Sequence, residues 1–457
     1  MSKQIRLNAF AMNTVGHLSP GLWRHPRDQA RRYTDIHYWV ELAKTLERGK
    51  LDGLFIADVL GVYDVYGGNA DAALRSGAQV PVNDPLQLVP AMAAATRHLG
   101  FGVTASVSFE HPFPFARRMS TLDHLTGGRA GWNIVTSYLA SGARNLGQQR
   151  QLSHDQRYAL ADEYLQVCYK LWETSWEDDA VVADRDSGVY AEPSKVHGIR
   201  HEGEYFQVPG FHLCEPSPQR TPVLYQAGAS SRGRAFAAAN AECVFVAAPS
   251  KAVLKKQVAD LREAVRAAGR NPADVLVLEQ LTVIVAPTDA EALARLAEYR
   301  EYASASGALT LMSGWTGIDF AEYAPGQVLR EVPSDAIQSA VEAFTRADPT
   351  RTWTTAEIAD YCAIGGDGPV LVGSPRTVAD QLQEWVAETD VDGFNLAGVV
   401  MPETFEAVVD LLVPELQARG LFKRDYAEGT LRHKLFGAGD RLAAPHPVAA
   451  LREEARR

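Results

Sequence analysis

The stretch Pro222–Asn240 reads PVLYQAGASSRGRAFAAAN. An apolar run, Pro222-Val223-Leu224, leads into Tyr225–Arg234, which holds two glycines, two adjacent serines and two arginines, and an alanine-rich helical pattern follows. This is a strand, a glycine-rich turn and a helix in immediate succession, the repeating unit of an α/β protein.

The same alternation recurs along the chain. Short, near-continuous apolar runs at Ile5–Phe10, Gly53–Ala57, Leu99–Ser106, Ala130–Thr136, Pro222–Gln226, Cys243–Ala247, Val275–Val285 and Phe394–Val400 read as strands buried on both faces, as in a parallel sheet. Between the first two, Ile36, Trp39, Ala43 and Leu46 recur at helical spacing, and Gly49 ends the helix. Asp84-Pro85 sets a cap and a first-turn proline before a helix over Leu86–Arg97, and Ser374-Pro375 repeats the device before Val378, Leu382 and Trp385. Eight strand–helix units predict a closed (β/α)8 TIM barrel with insertions.

One barrel domain would span residues 1–457, with insertions at about 137–221 and 287–392. Long insertions in a barrel enzyme tend to cover the active-site mouth. The charged, proline-dotted tail from about Lys423 reads as an arm or a frayed end. The net charge of −11 argues against a nucleic-acid partner. Cys168, Cys214, Cys243 and Cys362 lie far apart, which predicts a reducing compartment without disulfides or a zinc site. There is neither a signal peptide nor an apolar run of membrane-spanning length, so the expectation is a cytoplasmic protein with no membrane partner.

At a helix start, the turn after Tyr225 offers backbone N–H groups and a partial positive charge to an anion, and Ser230 and Ser231 add hydroxyls. It reads as a phosphate site, or equally as a plain Ser/Gly helix cap. Gly100–Ala105 formally matches GxGxxA but lies inside a strand pattern, which argues against Rossmann-type NAD(P)H binding. Polar residues gather at the predicted C-terminal strand ends, where barrel active sites form: Asn8 and Met12–His17, Asp58, Thr104 and Ser106, Asn133 and Thr136–Tyr138. Ser153 caps a further helix that places His154 and Tyr158 on one face. No paired-carboxylate, Ser-His-Asp or metal-ligand arrangement stands out, so a cofactor is expected to carry the chemistry.

Several long stretches carry a resemblance: LNAFAMNTVGH at Leu7, LDGLFIADVLGVYDVY at Leu51, QVPVNDP at Gln79, ARRMSTLDHLTGGRAGWNIVTS at Ala116, HDQRYALADEYLQV at His154 and VDGFNLAGVVMPETF at Val391. With the turn after Tyr225, they resemble the reduced-flavin-dependent, bacterial-luciferase-like monooxygenases. The branch is the two-component one that includes nitrilotriacetate, dibenzothiophene-sulfone, long-chain alkane and dimethyl sulfide monooxygenases. The resemblance implies that FMN lies at the C-terminal mouth of the barrel. Asp58 and Thr104 would meet the flavin ring, with Asn133 and Ser137 as further contacts. His154 and Tyr158 would face the phosphate, and Ser230 with Ser231 would bind it.

It implies also that a separate NAD(P)H:flavin reductase supplies FMNH2. Dioxygen would then oxidise a small organic substrate through a C4a-peroxyflavin, with His17, Tyr63 and Gln79 hydrogen-bonding or protonating the peroxide. Substrate-pocket positions would be Thr14, where the alkane and dimethyl sulfide enzymes carry Cys, and Tyr138 and Leu311, where the alkane enzyme has histidines. The stretches SGWTGIDFAEY at Ser313 and IGGDGPVLVGSP at Ile364 look most similar to the dimethyl sulfide enzyme. An organosulfur substrate is therefore expected first, an alkane or other xenobiotic second, and a homodimer or homotetramer as the assembly. Two other readings are an F420-dependent oxidoreductase on the same barrel and a non-catalytic flavin-binding protein.

Overall fold

Buried apolar runs set the architecture. The computed structural model describes residues 3–149, 151–228, 230–329, 344 and 352–455. Barrel strands β1 (Arg6–Met12), β2 (Gly53–Ala57), β3 (Gly100–Ser106), β4 (Ala130–Val135), β5 (Val223–Ala227), β6 (Cys243–Val246), β7 (Leu276–Val285) and β8 (Gly393–Ala397) pair in parallel. β1 lies between β2 and β8, and β8 pairs with β7. Pairing of β6 with β7 closes the barrel. All eight expected strands are present. An accessory strand, Val370–Gly373, adds to the far half of β7 from within the second insertion.

Alternation along each strand separates two cores. Leu7, Leu54, Ile56, Val103 and Leu281 join the apolar stripes of the surrounding helices. Phe55, Tyr225, Phe245 and Leu278 fill the barrel interior. The glycines of β3 and β4 make room for these rings: a Cβ on Gly131 would stand 2.4 Å from the Tyr225 ring. The GxGxxA stretch is therefore strand, and its second glycine, Gly102, packs on Phe55 and Tyr225.

Helix Ile36–Arg48 forms as expected, capped by Asp35, with Trp39, Ala43 and Leu46 buried; Ile36, in its first turn, stays exposed. The helix expected over Leu86–Arg97 is shorter. Asp84 caps a single 3-10 turn, Pro85–Gln87, and an α-helix covers only Val89–Ala94. Pro90 lacks an N–H and crowds the preceding turn, which breaks the longer helix.

The first insertion carries a short helix, Ala140–Asn145, a long one, His154–Glu173, and two small hairpins. The second carries helices Asp289–Tyr302, Ala305–Thr316 and Thr355–Cys362. Its residues 330–343 and 345–351 lie outside the described residues.

The tail packs back onto the barrel. Its helix Leu431–Phe436 drives Leu431 and Leu435 into the cluster inside the barrel, at the end where the strands begin. Among the described residues, no helix is long and apolar enough to cross a membrane.

Candidate active site

The C-terminal ends of the strands open into a cavity of about 330 Å³. Its floor is aromatic. Phe10 stacks on Phe55 at 5.0 Å between ring centroids, and Phe55 on Phe245 at 4.3 Å. These rings end the barrel core and offer a flat apolar surface to whatever enters.

One end of the cavity is the turn between β5 and helix Ser231–Asn240. Ser230 is the N-cap, and its Oγ accepts the N–H of Gly233 at 3.0 Å. The same Oγ lies 3.2 Å from His154 Nε2. Helix His154–Glu173 delivers that histidine and, one turn on, Tyr158. Space is tight here: a Cβ on Gly228 would come within 2.3 Å of the Gln226 amide, and one on Gly233 within 2.8 Å of the Tyr158 hydroxyl. Backbone, two hydroxyls and an imidazole thus converge on one spot. The first N–H groups of the helix have no intrahelical acceptor and add their partial positive charge. Ser231 starts the helix with an exposed side chain and lies outside the cavity wall, so its backbone can take part but its hydroxyl turns away.

The barrel wall is polar at discrete points. Asn133 donates to Thr104 Oγ1 at 3.0 Å, and its Oδ1 is buried without a partner. The side-chain oxygens of Gln226, Gln280 and Asn395 are orphaned in the same way, and all four amides line the cavity. Buried amide groups left unsatisfied are costly. Four of them around one cavity leave acceptors open to a polar ligand. Asp58 stands at the rim after β2, where burial, reinforced by the negative charge of Asp84, raises its carboxyl to about 7.

At the other end, Tyr63 is the centre of a network. Its hydroxyl donates to Gln79 Oε1 at 2.8 Å, lies 2.6 Å from the Tyr138 hydroxyl, and accepts from Trp315 Nε1 at 3.2 Å. Gln79 Nε2 donates in turn to the His17 carbonyl at 3.1 Å. The His17 ring stands edge-on to Phe10, and burial lowers its pKa to about 3, so it is neutral at physiological pH. Two residues here hold left-handed backbones without being glycine, Gln79 at φ 53° and Ser137 at φ 58°. Such conformations are costly and gather where a site dictates them. The Ser137 hydroxyl is fixed 2.8 Å from that of Ser106.

Of the residues expected in the site, His17, Tyr63, Gln79, Asp58, Thr104, Asn133, Ser137, His154, Tyr158, Ser230 and Tyr138 all line this cavity. Thr14 and Leu311 do not. The Thr14 hydroxyl donates to the Pro81 carbonyl at 2.6 Å, which turns it away. Leu311 packs inside helix Ala305–Thr316 among Tyr63, Met312 and Ile358, one layer behind the wall.

A family model described as luciferase-like monooxygenase matches residues 13–393. The chain belongs to the luciferase-like monooxygenases. It is 52% identical over 454 residues to a dimethyl-sulfide monooxygenase of Hyphomicrobium sulfonivorans, covering 99% of this chain and 95% of that one. It is 50% identical over 453 residues to a long-chain alkane monooxygenase of Geobacillus thermodenitrificans, covering 99% of both. A riboflavin lyase solved with a modified FMN and riboflavin superposes with a TM-score of 0.92 at 35% identity, covering 98% of this chain and all of that one. The family to which the motifs pointed is thereby established.

Among the cavity residues of this luciferase-like monooxygenase that escaped the sequence reading are Gln226, Gln280, Asn395, Trp315 and Asp367. For three of them a signal exists. Gln280 and Asn395 are amides set within apolar strand runs at positions that face the barrel interior, and Gln226 follows the inward-facing Tyr225 near the end of such a run. A polar residue at an inward position of a buried strand needs a partner, and here the cavity is where that partner would sit.

Proposed function

We propose that this chain is the oxygenase component of a two-component flavin-dependent monooxygenase. It takes reduced FMN from a separate NAD(P)H:flavin reductase and uses O2 to oxidise a small organic substrate, an organosulfur compound first and an alkane or other xenobiotic second. One observation carries the reading: an anion-binding turn, a flat aromatic floor and orphaned amides share one cavity.

The residues fit FMN. Ser230 already accepts from Gly233, so its own proton is available to a phosphate oxygen, alongside His154 and Tyr158. The isoalloxazine ring would lie on the phenylalanine floor, with Asn133 and Gln226 meeting its polar edge. When bound in reduced form, FMN supplies the electron pair that lets one atom of O2 enter the substrate and the other leave as water. The Tyr63 hydroxyl, positioned by Gln79, Tyr138 and Trp315, would give its one proton to the reacting oxygen by turning it from Gln79 Oε1, and neutral His17 can hold a proton on its ring without bringing a charge into the pocket. The apolar neighbours Phe10, Leu18 and Trp315 exclude water from the same end.

The test is an anaerobic titration with reduced FMN followed by rapid mixing with oxygenated buffer. The expected result is tighter binding of reduced than of oxidised FMN, and reoxidation slower than that of free flavin. Equal affinity with reoxidation at the free rate would overturn the assignment.

Asp58 adds a pH dependence. Its carboxyl is raised to about 7, so it carries a proton below that pH and gains a negative charge above it. Flavin phosphate is an anion, so FMN affinity should fall as pH rises through about 7. In Asp58→Asn that step should be absent from the affinity–pH curve measured by fluorescence titration.

A further inference from the structure

Asp367 has no assigned role, yet it is built into the cavity. The loop Gly365–Gly368 is pinned on every side. Gly365 N–H donates to Ser19 Oγ at 3.1 Å, and the Gly365 carbonyl accepts from Gln280 Nε2 at 2.9 Å. A Cβ on Gly366 would touch Leu18 and Trp315, and one on Gly368 would stand 2.3 Å from the Gln280 carbonyl. Gly365 and Gly366 both hold positive φ, which lets the chain turn sharply against these walls. Asp367, carried between them, lines the cavity together with Tyr63, Tyr138 and Trp315.

No basic side chain among the described residues that line the cavity stands at that end. Among the described lining residues, Arg157 and His154 stand at the opposite end, by the Ser230 turn, and His17 is neutral. The Tyr63 hydroxyl already serves Gln79, Tyr138 and Trp315. Burial alone lifts the Asp367 carboxyl, but to about 6, so it is ionised at neutral pH. A carboxylate taken from water without a counter-charge is costly, and a ligand that brings a positive charge or a strong donor relieves that cost. The neighbouring tyrosine and tryptophan rings favour the same kind of ligand, since aromatic faces attract cations.

We infer that Asp367 makes this end of the cavity selective for substrates bearing an ammonium or similar cationic donor group and hostile to carboxylates. The inference rests on the monooxygenase reading only in taking this end as the substrate's. An amine-bearing small molecule is thus the substrate class, with the oxidised atom held nearer Tyr63 and the cationic group at Asp367.

The experiment compares three probes of one shape, methylthio-propylamine, methylthio-propanol and methylthio-propionate. Their equilibrium binding to the full chain saturated with FMN would be measured by calorimetry at pH 8. The amine should bind about tenfold or more tighter than the carboxylate, the size of effect expected of a hydrogen bond between charged groups. Asp367→Asn should shrink that ratio to about threefold or less while the alcohol shifts little, and Asp367→Glu should keep the preference's sign. An amine-to-carboxylate ratio unchanged in Asp367→Asn, a wild-type preference for the carboxylate, or no binding of any probe would overturn the inference. FMN affinity, followed on the same samples, keeps the two questions apart. A wild type that fails to hold FMN counts against the flavin reading, whereas the probe ratio reports on Asp367 alone.

Discussion

Ser230→Asp should weaken FMN binding by about 100-fold or more while leaving the fold as stable as before. The two readings of the turn after Tyr225, helix cap and phosphate site, make opposite forecasts for this variant. Aspartate caps helices as well as serine does and suits the positive end of the dipole. Its carboxylate can still accept the Gly233 N–H that Ser230 Oγ accepts at 3.0 Å. If the serine is only a cap, nothing is lost. If a phosphate sits there, a second anion now occupies its place, in a partly buried site where like charges repel strongly. Riboflavin, which has no phosphate, is the control and should bind the variant about as it binds the wild type. Ser230→Ala is the less informative substitution, because it removes the cap and the donor together and should cost only about 1–2 kcal/mol of binding. Undiminished FMN affinity in Ser230→Asp would remove the phosphate from this turn and return it to a capping role.

Much of the architecture was legible because of what parallel strands require. Strands covered by helices on one side and packed into a barrel interior on the other must be apolar on both faces, and a run such as Leu99–Ser106 stands out for that reason. Proline was read only in part. Pro85 reads plainly as a first-turn residue, whereas Pro90, the second residue of helix Val89–Ala94, separates that helix from the 3-10 turn before it. The strand-end rule found Asp58, Thr104 and Asn133 because they directly follow or close an apolar run. It could not find Asp367. That residue reaches the cavity from a loop of the second insertion, more than eighty positions beyond β7's Gln280, and the hydrogen bonds of Gly365 to Ser19 and Gln280 with the packing of Gly366 on Trp315 bring it there. Gln79 and Ser137 owe their positions to left-handed backbones that their residue types do not announce. Thr14 and Leu311 were placed by likeness to relatives. A position matched in sequence does not fix where a side chain turns, and Thr14 turns to Pro81.

The tail shows the opposite case, a charged segment whose charge is structural. Arg432 is 3% exposed and Glu242 5%, with Nε 2.6 Å from one carboxylate oxygen. Nη2 meets the other at 2.9 Å and also donates to the carbonyls of Thr221 and Pro222, while Nη1 donates to Asp440. The tail helix is thereby fastened where β5 and β6 begin. Arg432→Ala leaves the Glu242 carboxylate buried without its partner and should cost about 3–5 kcal/mol of stability. The thermal midpoint should fall sharply, and adding Glu242→Gln should restore part of it. That second change discharges the orphaned carboxylate while keeping an acceptor for the Leu224 N–H, now bonded to Glu242 at 3.0 Å. A double variant no more stable than Arg432→Ala would mean that the loss comes from the severed carbonyl contacts and not from the unpaired charge. Because this lock lies at the end of the barrel away from the cavity, molecules that remain folded should bind FMN as before. A change in FMN affinity matching the loss of stability would instead tie the tail to the active site.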